Sequence, residues 1–202
     1  MKILLSPTVR ETYSKLYEYS IDKNWFKFLS NTFGKSKIFL PHEYQKNIDL
    51  IILTGGNDLK LFNKDKKNLI RYHQDMKLIK KSIQDNIPLI GVCYGAQILS
   101  HFLNCKVGMI KSHIGNHSVN IKNNNETMKL GNIKKFQVNS FHNYGILKTS
   151  HKITPICTAK DDSIELFLGN KIKCLGIMWH PERFKISRTI DKKIFLNFIQ
   201  KK

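Results

Sequence analysis

The chain has 202 residues, 41% of them hydrophobic, which suffices for a full core and is most simply read as one domain over residues 1–202. Its formal charge is +19, from 34 lysines and arginines against 15 acids, yet the basic residues are scattered, as in KDKK at Lys64 to Lys67. The lack of any run of about 18 apolar residues argues against a membrane span; the scatter reads first as a generally basic, solvated surface, disfavours nucleic acid and leaves an anionic small substrate compatible with the charge.

MKILLSPTVR is too soon broken by Pro7 and Arg10 for an export signal, and Ile3 to Leu5 reads as a buried strand. Arg10 and the SPTVRETYSKLY segment then follow that strand's C-terminal end, where open α/β sheets bind ligands, so Arg10 is a candidate for leaving-group recognition. A helical stretch over Trp25 to Phe33 precedes a strand at Lys37 to Leu40. DLIILTGG, Asp49 to Gly56, has the pattern of a buried parallel strand entering a turn. Met76, Ile79 and Ile83 recur at helical spacing and predict an amphipathic helix over Tyr72 to Asp85. RYHQD, Arg71 to Asp75, either starts that helix or lines the cleft beyond the glycine turn.

Pro88 to Cys93 reads as the next strand and Tyr94 to Phe102 as the next helix. After Leu103, Gly108, Gly115, Gly131 and the asparagine cluster near Asn123 suggest smaller strands and surface loops. KIKCLGIMWHPERF restores a strand pattern, and a helix is expected over Thr189 to Ile199. The order predicts an α/β fold with a mostly parallel central sheet flanked by helices, and a smaller strand-and-loop region after residue 103.

Cys93, Cys105, Cys157 and Cys174 form no CxxC pair, which argues against a disulfide scaffold or zinc knuckle and fits a reducing cytoplasm. Cys93 stands where a strand becomes a helix, between Gly91 and Gly95. Such a turn exposes a nucleophile and points unpaired N–H groups at it. The helix dipole favours thiolate over thiol. Among eight histidines, His180 stands out, because it follows an expected strand and precedes Pro181 and Glu182. Cys93, His180 and Glu182 are thus candidate nucleophile, base and orienter. The Tyr94 N–H is one candidate oxyanion donor and Gly56, in LTGGND, the second; an ordinary βα turn is the plainer reading of that loop.

His113 and His117 are four apart, as metal ligands on one helix face sometimes are. Gly115 lies between them and no third ligand is signposted, so no metal is expected; His113 is a candidate for the rim of the leaving-group pocket.

GVCYGAQ, TGGND and WHPE resemble the nucleophile motif, oxyanion loop and His–Glu motif of the class I glutamine amidotransferase family, over roughly Asp49 to Phe184. The resemblance implies that Gln97 helps hold a glutamyl group, and that Asn139, Ser140, Phe141 and His142 of VNSFHNYG lie against the same group. NSFH, GGND and KSHIGNHSV are more similar to the gamma-glutamyl amide hydrolases than to domains that feed ammonia to a synthase. Within those, the chain resembles the hydrolases of bacterial capsule phosphoramidate synthesis, which implies a nucleotide-linked gamma-glutamyl substrate and no cofactor. The alternative is a glutaminase subunit serving a separate synthase; a protease or chaperone of related architecture, or a basic binding module, ranks below. No synthase domain is expected, since the sequence ends at Lys202, soon after WHPE. No pattern in the sequence speaks to oligomeric state.

Overall fold

The computed structural model describes residues 1–122, 128–184 and 188–200, with the backbone alone at residues 111 and 112. Its centre is a nine-stranded mixed sheet flanked by helices. Five strands run parallel: β1 (Lys2–Ser6), β4 (Lys37–Phe39), β5 (Leu50–Leu53), β6 (Leu89–Val92) and β11 (Cys174–Ile177), in the order β4-β1-β5-β6-β11. Their residues are apolar on both faces because both are covered. Ile3, Leu5, Leu50, Ile52, Ile90 and Val92 pack with α1 (Asn24–Phe33) and α4 (Thr189–Gln200). Leu4, Ile51, Leu53 and Leu89 pack instead with α2 (Lys66–Gln84) and α3 (Tyr94–Phe102). The period-two alternation of strand side chains divides one run, such as LIIL, between the two cores.

On α1, Trp25, Phe28, Leu29 and Thr32 form the buried stripe, and Phe28 meets Phe195 of α4 edge to face with centroids 5.0 Å apart. The helix α2 begins six residues before Tyr72, and of Met76, Ile79 and Ile83 its inward stripe buries Ile79 fully and Met76 partly. It includes Arg71, Asp75, Leu78, Ile79 and Ser82, while Ile83 is exposed. Apolar periodicity found only part of the face because its inner end carries a buried ion pair, Arg71 Nε to Asp75 Oδ2 at 2.7 Å.

The region after residue 103 contains the longest strands in place of small pieces. β7 (Lys106–Ile121) and β8 (Lys135–Lys148) form a hairpin, joined by β9 (Ile153–Thr158) and β10 (Ile164–Gly169), all antiparallel. They extend the central sheet in the order β11-β10-β8-β7-β9. A register shift between Met109 and His113 and glycines along the run hide a strand this long from local pattern reading. The asparagine cluster near Asn123 lies outside the described residues, apart from Lys122 and its neighbours before it. A second departure is a small hairpin, β2 (Thr8–Glu11) with β3 (Tyr17–Ser20), standing apart from the main sheet. Among the described residues no helix is long and apolar enough to cross a membrane.

Candidate active site

At the end of β6 the chain turns into α3 through Cys93, whose φ of 52° and ψ of −108° are rare for a residue with a side chain. The turn is tight. A Cβ on Gly91 would strike the Gly95 carbonyl, and one on Gly95 would strike the Leu53 carbonyl, so strand and helix approach only with glycine at both positions. Cys93 is 7% exposed. Burial pushes the Cys157 and Cys174 thiols up to about 12, which leaves them inert. All four cysteines are free.

β11 delivers His180 to the same place. Trp179, just before it, is buried and donates its indole N–H to Asp191 Oδ1 of α4 at 2.9 Å, while the His180 N–H donates to Asn139 Oδ1 at 3.0 Å. The ring is held by Glu182, whose Oε1 lies 2.7 Å from Nδ1, with both side chains almost fully buried. The other edge of the ring faces Cys93: a Cβ on Gly55 would sit 3.3 Å from Cys93 Cβ and 2.6 Å from His180 Cε1. Burial alone would lower the imidazole, but the negative charge offered by Cys93 and Glu182 overcomes it and raises His180 to about 9. A thiol, an imidazole and a carboxylate so joined are equipped for nucleophilic attack followed by proton return.

Opposite Cys93 runs the loop after β5. Gly56, at φ 124°, packs on Thr8, and Thr8 Oγ1 donates to the Gly55 carbonyl at 2.9 Å. Asn57 accepts the Val9 N–H at 2.9 Å and donates to the Val9 carbonyl at 3.0 Å, clamping β2 over the loop. Beneath, Arg71 donates to the carbonyls of Pro7 and Thr54, and Asp75 accepts from Ser6. Arg71 and Asp75 therefore brace the ends of β1 and β5 and do not line the cleft.

Cys93, His180, Gly56, Gln97, Phe141 and His142 line one cavity of about 220 Å³. It shares Gly56, Asn57, Asp58 and Arg183 with a basin of about 900 Å³ under β2 and β3. Arg10 lines that basin, together with Lys23, Lys67 and Arg183 and the acids Glu11, Asp22 and Asp58. Gln97 donates to the Tyr144 carbonyl at 2.9 Å. The Phe141 ring stands 5.8 Å from that of His180. Burial pushes His142 down to about 4, against the pull of Glu165.

Three expected residues stand elsewhere. Asn139 and Ser140 are buried and do not line either cavity; Asn139 is spent on the His180 backbone. His113 faces Glu165 and Asp161 and lines neither cavity. The sequence motifs did not single out Asp58, Asn143, Tyr144 and Arg183, which line the Cys93 cavity. Each lies within or beside GGND, NSFH or WHPE, so proximity to those motifs was the available signal.

A family model described as Peptidase C26 matches residues 10–182. The gamma-glutamyl-CDP-amidate hydrolase of Campylobacter jejuni subsp. jejuni serotype O:2 is 32% identical over 167 residues, covering 79% of this chain and 78% of that protein. The glutamine amidotransferase-like protein YvdE of Lactococcus lactis subsp. lactis is 27% identical over 193 residues, 80% of each chain. Among solved structures, a glutamine amidotransferase from Thermotoga maritima superposes with a TM-score of 0.66 at 18% identity, covering 90% of this chain and 76% of that one. That last likeness concerns the fold alone. The sheet, the turn at Cys93 and the family match agree: the chain belongs to the Peptidase C26 family and has the class I glutamine amidotransferase-like fold.

Proposed function

We propose that the protein is a cysteine-dependent gamma-glutamyl amide hydrolase whose substrate is gamma-glutamyl-CDP-amidate, releasing glutamate and cytidine diphosphoramidate for capsule synthesis in the cytoplasm. The observation that carries the reading is the strained turn that sets Cys93 against the His180–Glu182 pair in a cavity opening onto a larger basin. The Campylobacter relative supports the choice of substrate. The smaller cavity suits a glutamyl group, with Asp58 and Arg183 at its mouth for the ammonium and carboxylate. The basin suits a nucleotide, with Arg10, Lys23 and Lys67 as diphosphate partners.

In this mechanism the Cys93 thiolate attacks the gamma-carbonyl carbon, and the oxyanion is held by the N–H groups of Gly56 and Tyr94. His180, protonated, gives its proton to the leaving nitrogen as the carbonyl–nitrogen bond breaks. The amidate departs and the glutamyl group remains as a thioester on Cys93. His180, now neutral, takes a proton from water as the oxygen attacks the thioester; the sulfur leaves as thiolate and glutamate is freed. Glu182 stays ionised and holds the ring throughout.

The test is glutamate release by the purified protein alone from gamma-glutamyl-CDP-amidate and, separately, from L-glutamine, with Cys93→Ala beside each. Fast release from the nucleotide and little from glutamine, both lost in the variant, is the expected result. Release mainly from glutamine, or only when a synthase partner is added, would replace this reading with that of a glutaminase supplying ammonia.

A further inference from the structure

The antiparallel half of the sheet gathers a second set of chemistry-bearing side chains. His113 and His117 belong to β7, His142 stands opposite His113 on β8, and Glu165 comes from β10. Residues four apart in an extended strand are about 13 Å apart. The His113 and His117 rings nevertheless have centroids 4.6 Å apart. Gly115 between them has φ 96°, a local departure from extended backbone within a ladder that stays in register. Glu165 Oε1 lies 3.1 Å from His113 Nδ1, 3.6 Å from His117 Nε2 and 3.8 Å from His142 Nε2.

One carboxylate cannot satisfy three imidazoles. Both ring nitrogens of His117 and both of His142 are buried without a hydrogen-bond partner, as is Glu165 Oε2. His142 is 5% exposed and Glu165 0%, so solvent does not substitute. Buried polar groups left this way are costly, and the convergence of His113, His117 and Glu165 on one point calls for a common partner. Neutral imidazoles with a carboxylate are the donor set of a first-row divalent metal, zinc foremost. Tetrahedral ligands at zinc distances of about 2.0–2.1 Å lie about 3.3–3.5 Å from one another. The donor atoms of His113, His117 and Glu165 are all within 4.8 Å of each other. A further carboxylate is in place behind them: Asp161 Oδ2 lies 3.1 Å from His113 Nε2, where it fixes the ring with Nδ1 turned inward. His117 is 22% exposed and leaves an entry path.

We propose that His113, His117 and Glu165 form a Zn²⁺ site whose fourth position is taken by water, with Asp161 orienting His113 and His142 packed beside the ligands. The ion would tie β7 and β10 together beside the Cys93 cavity. Two links join that tie to the cavity: His142 lines it, and the Glu165 carbonyl accepts the Met178 N–H at 2.9 Å, two residues before His180.

The purified full chain, stripped with a chelator, is titrated with Zn²⁺ against a chromophoric competitor, and in parallel loaded with Co²⁺ for its visible spectrum. One equivalent per chain is expected, with a tetrahedral Co²⁺ spectrum that lacks a thiolate charge-transfer band. Affinity should fall at least about a hundredfold in His117→Ala and Glu165→Gln and about tenfold in Asp161→Asn, with no change for the exposed His151→Ala. Uptake well below one equivalent, a thiolate band, or unaltered affinity in both ligand variants would overturn the proposal. The wild-type stoichiometry and spectrum decide it even where a variant fails to fold.

Discussion

Two imidazole–carboxylate arrangements lie on either side of His142 and are built in opposite ways. In the parallel half, His180 and Glu182 are two residues apart, and one carboxylate serves one ring. In the antiparallel half, His113, His117 and His142 come from two strands and crowd one carboxylate from a third. The ratio decides what each can do. A ring with its own carboxylate has its tautomer set and its remaining nitrogen aimed at Cys93. Rings that must share leave nitrogens unpaired, which is the condition for binding something else.

The comparison breaks most sharply at His180. His180→Asn should lower kcat by about 10³–10⁴-fold in the glutamate-release assay, with metal uptake unchanged. Glu182→Gln should cost about 10²-fold and also carry a pH signature. In the wild type, His180 is charged until about pH 9, so kcat/KM should fall as pH rises through that value. The same raised ring contributes stability that is complete below its unfolded value near 6.5 and lost as pH rises through about 9. Removing the Glu182 charge should move both alkaline limbs to lower pH, as pH–rate and pH–denaturation profiles will show.

Gly55→Ala places a methyl group 2.6 Å from His180 Cε1 and should displace the ring, lowering kcat/KM by about tenfold or more with little change in melting temperature. Arg71→Met acts on stability instead: it strands a fully buried Asp75 and should cost about 3–5 kcal/mol in chemical denaturation, much of it recovered in the double variant with Asp75→Leu. His117→Ala should have the smallest effect on turnover, a few-fold in kcat/KM at most, because His117 lines neither cavity and acts only through the strands beside them.

The parallel half was legible from residue order because each element there is written locally. Leu50–Leu53 and Leu89–Val92 are short apolar runs ending in glycine or cysteine turns, and Cys93 and Glu182 each sit within a few residues of what positions them. The inward face of α2 was legible only in part because Arg71 and Asp75 are polar residues made interior by partners at Ser6, Pro7 and Thr54. The β2–β3 hairpin was missed for a similar reason, its hold on the glycine loop running through Asn57 and Thr8 across more than 45 positions.

By itself, then, the sequence determined the α/β order, the turn at Cys93 and the His180–Glu182 pair, since short-range sterics and spacing suffice for these. Only the tertiary structure decided that Asn139 holds the His180 backbone, that Arg183 lines both cavities, and that His113 pairs with Glu165 and lines neither. It also supplied Glu165 to a pair of histidines that had no visible third partner. Strand pairing brings together residues separated by about fifty positions, and no local periodicity encodes which side chains will meet there.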